Sequence, residues 1–238
     1  MRYIVALCVC LLFTFATYAY IVIQDNFDRI PGNDLGGSWA EFESSSASMS
    51  IVNTRNFSGD LFPQTNGLAV IANLGSNFAY WDTPIENNQV ARITTIFRPV
   101  SGSDVSYGIG VRMSGTRSNF SGYVAALEAG PFGFSVTVYL RKYTGIDITT
   151  GNSGTVLGAQ NLTVPLSAFN SWGNRGDILE LRATGNNIEV FFWSAVGANN
   201  LGRIIAVTDN TIQSGNFGIF SGQSLVKSYL TNFYGNGF

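Results

Sequence analysis

Four strand-length stretches in a row, separated by turn-formers, constrain this chain more than anything else in it. They cover residues 89–98, 106–114, 119–128 and 132–143 and are rich in Val, Ile, Tyr and Phe. Turn-forming residues fill 100–104, 115–118 and 129–131 between them. Strand, turn and strand at such short spacing predict an antiparallel meander. By side-chain alternation, Tyr107, Ile109, Val111 and Met113 share one face, the core face, while Gly108, Gly110 and Arg112 share the other.

The rest of the chain continues the pattern. Residues 21–28, 39–42, 49–54, 203–207, 216–221 and 226–234 read as strands, and 66–73 with 77–82 as a hairpin across Leu74-Gly75-Ser76. The clearest hairpin joins 177–183 to 188–194 through Gly185-Asn186. It pairs Leu179 with Phe192, Leu181 with Val190 and Ala183 with Ile188 on the core face. Its other face carries Glu180, Arg182, Glu189, Phe191 and Trp193, with Arg182 opposite Glu189 as an expected ion pair. Residues 144–158 read as a Gly/Thr/Ser loop at the rim, and 167–174 as a compact polar segment around Trp172. About a dozen short strands without a convincing helix predict an all-β sandwich or barrel. No Pro/Ser-rich linker, charge run or internal repeat divides the chain, so its 238 residues are expected to hold one β-domain.

Composition removes several chemistries. The chain has no histidine, which excludes Ser-His-Asp catalysis, histidine zinc sites and histidine acid–base work. Both cysteines, Cys8 and Cys10, lie in the N-terminal apolar run, so the remainder has no disulfide, thiol nucleophile or cysteine metal site. A net charge of −2 leaves no basic footprint for nucleic acid. Charged residues make up only 12%, a composition suited to extracellular and virion β-proteins.

Met1-Arg2-Tyr3 precedes an apolar stretch over 4–23. One positive charge, an apolar run and the small residues Thr17 and Ala19 fit a secretory signal peptide cleaved after Ala19. Two readings stay open beside it: an uncleaved anchor, since about 20 apolar residues span a bilayer, and an ordered first strand starting at Tyr20-Ile21-Val22-Ile23. The expected organisation is an apolar leader over 1–19 and one domain over 20–238. The expected location is extracellular or a cell surface, with the virion as the alternative and membrane contact only if the leader is retained.

The order of pieces resembles a known superfamily. An Asp25-Asn26-Phe27-Asp28-Arg29 start leads to Trp39, then to Tyr80-Trp81-Asp82. A Val-x-Ile strand, a Gly-x-Gly-x-Arg strand and a Gly-Tyr strand follow. Asp-x-Leu-x-Leu-x-x-x-Gly-Asn runs from Asp177 into a strand tipped by Trp193, and the chain ends in a Tyr-Leu-x-Asn-Phe strand. Over residues 20–238 this resembles the concanavalin A-like lectin/glucanase jelly rolls, especially their laminin-G-like and carbohydrate-binding branches. The resemblance implies a two-sheet antiparallel jelly-roll sandwich whose first and last strands pair, placing Phe27 near Phe233, with one sheet bent to a concave face where many relatives bind glycans. It also implies calcium at the rim as a minority reading, with Asp25, Asp28, Asp104, Asp147 and Asp209 near strand ends; each is more often a turn or cap residue.

The catalytic Glu-x-Asp-x-x-Glu cluster of the glucanase branch has no counterpart here, and the 15 acidic residues are dispersed. Retaining hydrolysis needs two carboxyl groups about 5 Å apart, so no enzyme activity is expected. Glycan binding needs aromatic platforms beside hydrogen-bonding forks. The candidate ligand-binding residues are Arg92, Arg112, Tyr139, Arg141, Phe191 and Trp193, on one polar sheet face if the 177–194 hairpin joins the meander sheet. The competing explanation is that the arginines solvate an exposed sheet and the rings pack on a loop or subunit. Trp39 and Trp172 are expected to plug the ends of the sandwich, and one ring of Tyr80 and Trp81 to be core. Asn56, Asn119 and Asn161 head glycosylation acceptor triplets, at a frequency near chance for this composition. Two functions follow: a non-catalytic glycan-binding, lectin-like module, or a structural virion protein (decoration, fibre or tail component) using the jelly roll as an assembly unit. Their partners would be carbohydrate or neighbouring protein subunits.

Overall fold

The computed structural model describes residues 21–25, 35–36, 38–43, 49–53, 68–72, 77–83, 85–96, 105–129, 135–148, 154–163, 177–193, 201–221 and 228–238. The apolar leader, Phe27, Asp28, Asn56, Asp104 and Trp172 lie outside the described residues. Among the described residues, fifteen strands run in chain order: β1 Ile21–Asp25, β2 Trp39–Glu43, β3 Met49–Asn53, β4 Leu68–Ala72, β5 Asn77–Trp81, β6 Gln89–Ile96, β7 Val105–Thr116 and β8 Asn119–Ala129. They continue as β9 Ser135–Ile146, β10 Thr155–Thr163, β11 Asp177–Thr184, β12 Asn187–Trp193, β13 Gly202–Thr208, β14 Asn216–Ser221 and β15 Ser228–Gly237.

The strands form two antiparallel sheets, the predicted jelly-roll sandwich. One has the order β13-β12-β11-β6-β15-β4-β3, with β1 also paired to β15. The other has the order β10-β9-β8-β7-β14-β5-β2. First and last strands pair as expected, with Asp25 opposite Phe233. The 177–194 hairpin has the predicted register, Leu179 to Phe192 and Ala183 to Ile188, around Gly185 at φ 55°.

Three local expectations are corrected. First, β6 does not sit beside β7 in the meander. It lies between β11 and β15 in the eight-stranded sheet, so the meander is β7-β8-β9-β10. Second, β4 and β5 are not a hairpin: β4 pairs with β3 and β15, β5 with β2 and β14. In both cases consecutive strands cross from one sheet to the other, which a sandwich allows and local spacing cannot reveal. Third, the expected loop over 144–158 is shorter, because β9 runs to Ile146 and the unforeseen β10 begins at Thr155. Its sequence carries no clean alternation, because it is an edge strand with a bulge between Val156 and Gly158 and its residues are largely exposed.

The core lies between the sheets, where Ile93, Ile109, Tyr123, Leu140, Leu179, Val190, Ile219 and Phe233 meet. Trp39 is part of it, set edge-on against Trp81 and Phe233 and donating its indole N–H to Asp25 (2.8 Å). It is therefore a sheet residue in the core rather than an end plug. A second apolar cluster covers the outer face of the seven-stranded sheet: Phe78, Met113, Phe120, Val124, Ala126, Tyr143, Ile148 and Phe220. Met113 belongs to this cluster and not with Tyr107, Ile109 and Val111. A bulge between Val111 and Ser114 shifts the alternation by one residue and sends Met113 to the opposite face. There it fills a space bounded by glycines: a Cβ on Gly110 would come within 2.3 Å of its sulfur.

Candidate functional site

The six residues singled out from sequence do not converge on one face. Because β6 and the β11-β12 hairpin belong to the eight-stranded sheet, Arg92, Phe191 and Trp193 come together on its outer face. Tyr139 and Arg141 lie on the outer face of the other sheet, across the whole thickness of the sandwich. Arg112 is on neither surface.

On the eight-stranded sheet, strand register builds a straight row. Tyr234 is opposite Arg92, Arg92 opposite Glu180, Glu180 opposite Phe191, and Phe191 opposite Arg203. Four steps between neighbouring strands make this row about 19 Å long. Trp193 stands one step along β12, stacked on Phe191 with centroids 5.6 Å apart and planes 11° apart. The Arg92 guanidinium lies over both Trp193 (5.8 Å) and Tyr234 (5.6 Å), and that of Arg182 lies over Phe191 (4.1 Å). Such contacts fix a guanidinium against a ring and leave its edge free to donate.

The carboxylates of the row are internal to it. Glu180 has no exposed side-chain surface. Its Oε2 accepts from Nε of Arg92 (2.6 Å) and also meets Nη2 of Arg92; its Oε1 accepts from Nε of Arg182 (2.5 Å). The expected Arg182–Glu189 pair is replaced. The two residues are opposite each other, but Arg182 turns along its own strand to Glu180, and Glu189 takes Nη1 of Arg203 (2.7 Å). A residue two along a strand shares its face and competes with the cross-strand neighbour, and here a shielded carboxylate wins.

On the seven-stranded sheet, Arg141 lies over Tyr139 (4.7 Å) and bridges Glu128 (2.9 Å). The Arg141 side chain is 12% exposed, so its charge is spent within the sheet. Beside it Tyr143 packs against Phe78 and Phe120, and burial pushes its hydroxyl pKa up to about 12.

Arg112 is fully buried at one end of the sandwich, at the bulge, with φ 52°. Its guanidinium donates to the carbonyls of Asn87 (3.0 Å), Ile212 (2.9 Å) and Gly185 (2.6 Å). Its backbone N–H donates to Gln89 Oε1, whose amide nitrogen reaches the carbonyls of Glu86 and Gly215. Burial pushes the guanidinium pKa down, although the nearby Tyr123 opposes this. Arg112 thus ties three connections together and presents nothing to a ligand. Next to it, Asp209 accepts from the Tyr123 hydroxyl (2.5 Å), Lys142 Nζ (2.6 Å) and the Thr211 N–H (2.8 Å).

Sequence reasoning missed Tyr234 and the part played by Glu180 with Arg182. The hairpin parity already put Glu180 and Arg182 on the outer face. Nothing in the sequence marks β15 as the neighbour of β6, which is what delivers Tyr234. As for calcium, no three His, Cys, Asp or Glu among the described residues group closely enough to hold a metal. Asp25 accepts the Trp39 indole N–H on Oδ2, and both oxygens of Asp209 accept bonds, from Tyr123 and from Lys142. Of the acceptor asparagines, Asn119 and Asn161 are exposed.

No protein-family model matches the sequence, and no curated protein is similar to it. The structure is similar to that of carbohydrate binding module CBM66 from Bacillus subtilis, with a TM-score of 0.54 at 12% identity over 82% of this chain and 93% of that one. It is also similar to a glycoside hydrolase family 16 endo-glucanase from Bacteroides ovatus (0.51, 9% identity, 89% and 98% covered). A third is the Ca2+/Man-bound exoplasmic/lumenal domain of VIP36 (0.51, 13% identity, 84% and 82% covered). All three share the concanavalin A-like jelly roll, and at these identities the likeness is one of fold.

Proposed function

We propose that this chain, a concanavalin A-like jelly roll, is a non-catalytic glycan-binding module that holds sugar on the outer face of its eight-stranded sheet. The observation that carries the reading is the row Tyr234–Arg92–Glu180–Phe191–Arg203 with Trp193 stacked beside it. Apolar faces of sugar rings stack on aromatic rings, and guanidinium edges read hydroxyls. The rings are half-buried, so they are held in place and still offer a face. Their rigidity lowers the ordering cost of binding. Fold-level support comes from the carbohydrate-binding module and the Man-bound domain named above.

A non-catalytic role is favoured over a glucanase role by the state of the carboxylates. Glu180 is bound on both oxygens by arginine, Glu189 is bridged by Arg203, and Glu128 by Arg141. A carboxylate held on a guanidinium favours its ionised form and is not free to donate a proton, which suits neither general acid nor nucleophile of a hydrolytic pair. Secretion or surface display is part of the proposal, since extracellular glycans must be met outside the cell.

The test is binding of the wild type and Trp193→Ala to a broad glycan array. Binding by the wild type, lost in Trp193→Ala while thermal unfolding stays cooperative, supports the reading. It is overturned by a wild type that retains nothing on the array, or by binding that survives in Trp193→Ala. A self-associating chain whose rings become protected in the oligomer would favour the assembly-unit role instead.

A further inference from the structure

The charge arrangement on this face narrows the ligand, on the premise that the face binds glycan. The exposed charge there is cationic. Arg92, Arg182 and Arg203 have 44%, 38% and 59% of their side-chain surface in solvent, against 0% for Glu180 and 24% for Glu189. Glu180 is sealed beneath Arg92 and Arg182, so a ligand arriving from solvent meets guanidinium groups and not the carboxylate. Arg182 gives only Nε to Glu180, and its two terminal nitrogens have no hydrogen-bond partner among the described residues. Arg92 likewise keeps Nη1. The chain as a whole carries −2, so this local excess of exposed positive charge runs against the average of the molecule.

We infer that the glycan held here is an acidic polysaccharide, a chain of sugars bearing carboxylate or sulfate groups. A guanidinium fork matches a planar carboxylate or a sulfate with two parallel hydrogen bonds, and a neutral hydroxyl uses only part of it. Glu180 does two things at once. It fixes Arg92 and Arg182 in orientation, and it neutralises only part of their charge, leaving their outer edges to the ligand. The rings supply the complementary apolar contact: Trp193 and Phe191 form one platform and Tyr234 a second, with Arg92 between them. A row about 19 Å long accommodates several sugar rings in sequence, so affinity should rise with chain length.

The experiment is titration calorimetry of the full protein with polygalacturonate, dextran sulfate and neutral dextran, each at 50 and 500 mM salt. The variants are Arg182→Gln, Arg203→Gln and Trp193→Ala, with circular dichroism as the folding check. Expected is at least tenfold tighter binding to one of the acidic polymers than to neutral dextran, weakened several-fold by salt. Arg182→Gln and Arg203→Gln should narrow that preference, and Trp193→Ala should abolish binding. Arg203→Gln stays informative even where Arg182→Gln fails to fold, because Arg203 is the most exposed of the three arginines. Tight binding to a neutral glycan, with none to either acidic polymer, overturns the acidic-ligand inference and leaves the glycan-binding reading standing. Acidic binding that persists in Trp193→Ala overturns it too, since charge alone would then suffice. Failure to bind any glycan removes both.

Discussion

At the residue scale the most consequential side chain is Arg112. From sequence it alternates with Val111 and Met113 and falls on the polar face with Gly108 and Gly110. The bulge places it inside, where three carbonyls from three separate connections converge on one guanidinium. Of the three, the Ile212 carbonyl is the enclosed one, and leaving a buried acceptor without its donor costs about 1–3 kcal/mol. Arg112→Met keeps most of the volume and removes all three side-chain donors. It is expected to lower stability by about 1–3 kcal/mol, read from urea unfolding followed by tryptophan fluorescence. A loss below about 1 kcal/mol would mean that the carbonyls find other donors. The same residue shows the limit of parity counting, because one extra residue in a strand exchanges the faces of everything after it until a second irregularity restores them.

At the scale of elements, the β11-β12 hairpin is the piece most fully written in local sequence. Its alternation, its Gly-Asn turn and its register all agree, and the tertiary structure adds only its neighbours. Two glycines separate backbone strain from close packing. Gly185 sits at φ 55° with nothing within 4 Å of where a Cβ would be. Gly185→Ala should therefore cost only the left-handed penalty, about 1–2 kcal/mol, and Gly185→Asn less. Gly218 has no positive φ, but a Cβ there would lie 2.1 Å from the Ala79 carbonyl on the neighbouring strand. Gly218→Ala should destabilise more than Gly185→Ala in the same urea series; equal effects would contradict this assignment. The edge strand β10 is the opposite case, short of apolar residues and bulged, and legible only once β9 is seen to need a partner.

For the whole molecule, titrating groups at one end of the sandwich and on the outer face of the seven-stranded sheet bound the pH range of stability. Asp209 is held well below the usual carboxylate range: burial raises its pKa, but the hydrogen bonds from Lys142, Tyr123 and Thr211 together outweigh that. Its contribution is present above the ordinary aspartate pKa of about 4 and is lost as pH falls below it. Tyr123 and Tyr143 are both pushed up to about 12, chiefly by burial. Their contribution is complete below the ordinary tyrosine pKa of about 10 and disappears as pH rises from there towards 12. Melting temperature against pH should thus show a plateau with an acid and an alkaline fall. In Asp209→Asn the plateau should drop and the acid fall should shrink, because the substituted amide does not titrate; an unchanged acid limb would rule Asp209 out as its source. The closure of first strand on last was implied only by the resemblance to the concanavalin A-like jelly rolls; the residues themselves carry the β-class, a sandwich or barrel, the core-facing parity of most strands and the absence of histidine and cysteine chemistry from the described strands. These follow from alternation, turn residues and composition, which are local. Which sheet each strand joins is visible in the tertiary structure alone, and with it that Arg92, Phe191 and Trp193 come together with Tyr234, Glu180 and Arg182, while Tyr139 and Arg141 lie on the far side. Strand order is fixed by which edges pair across long separations in the chain, and alternation along one strand carries no record of its neighbour.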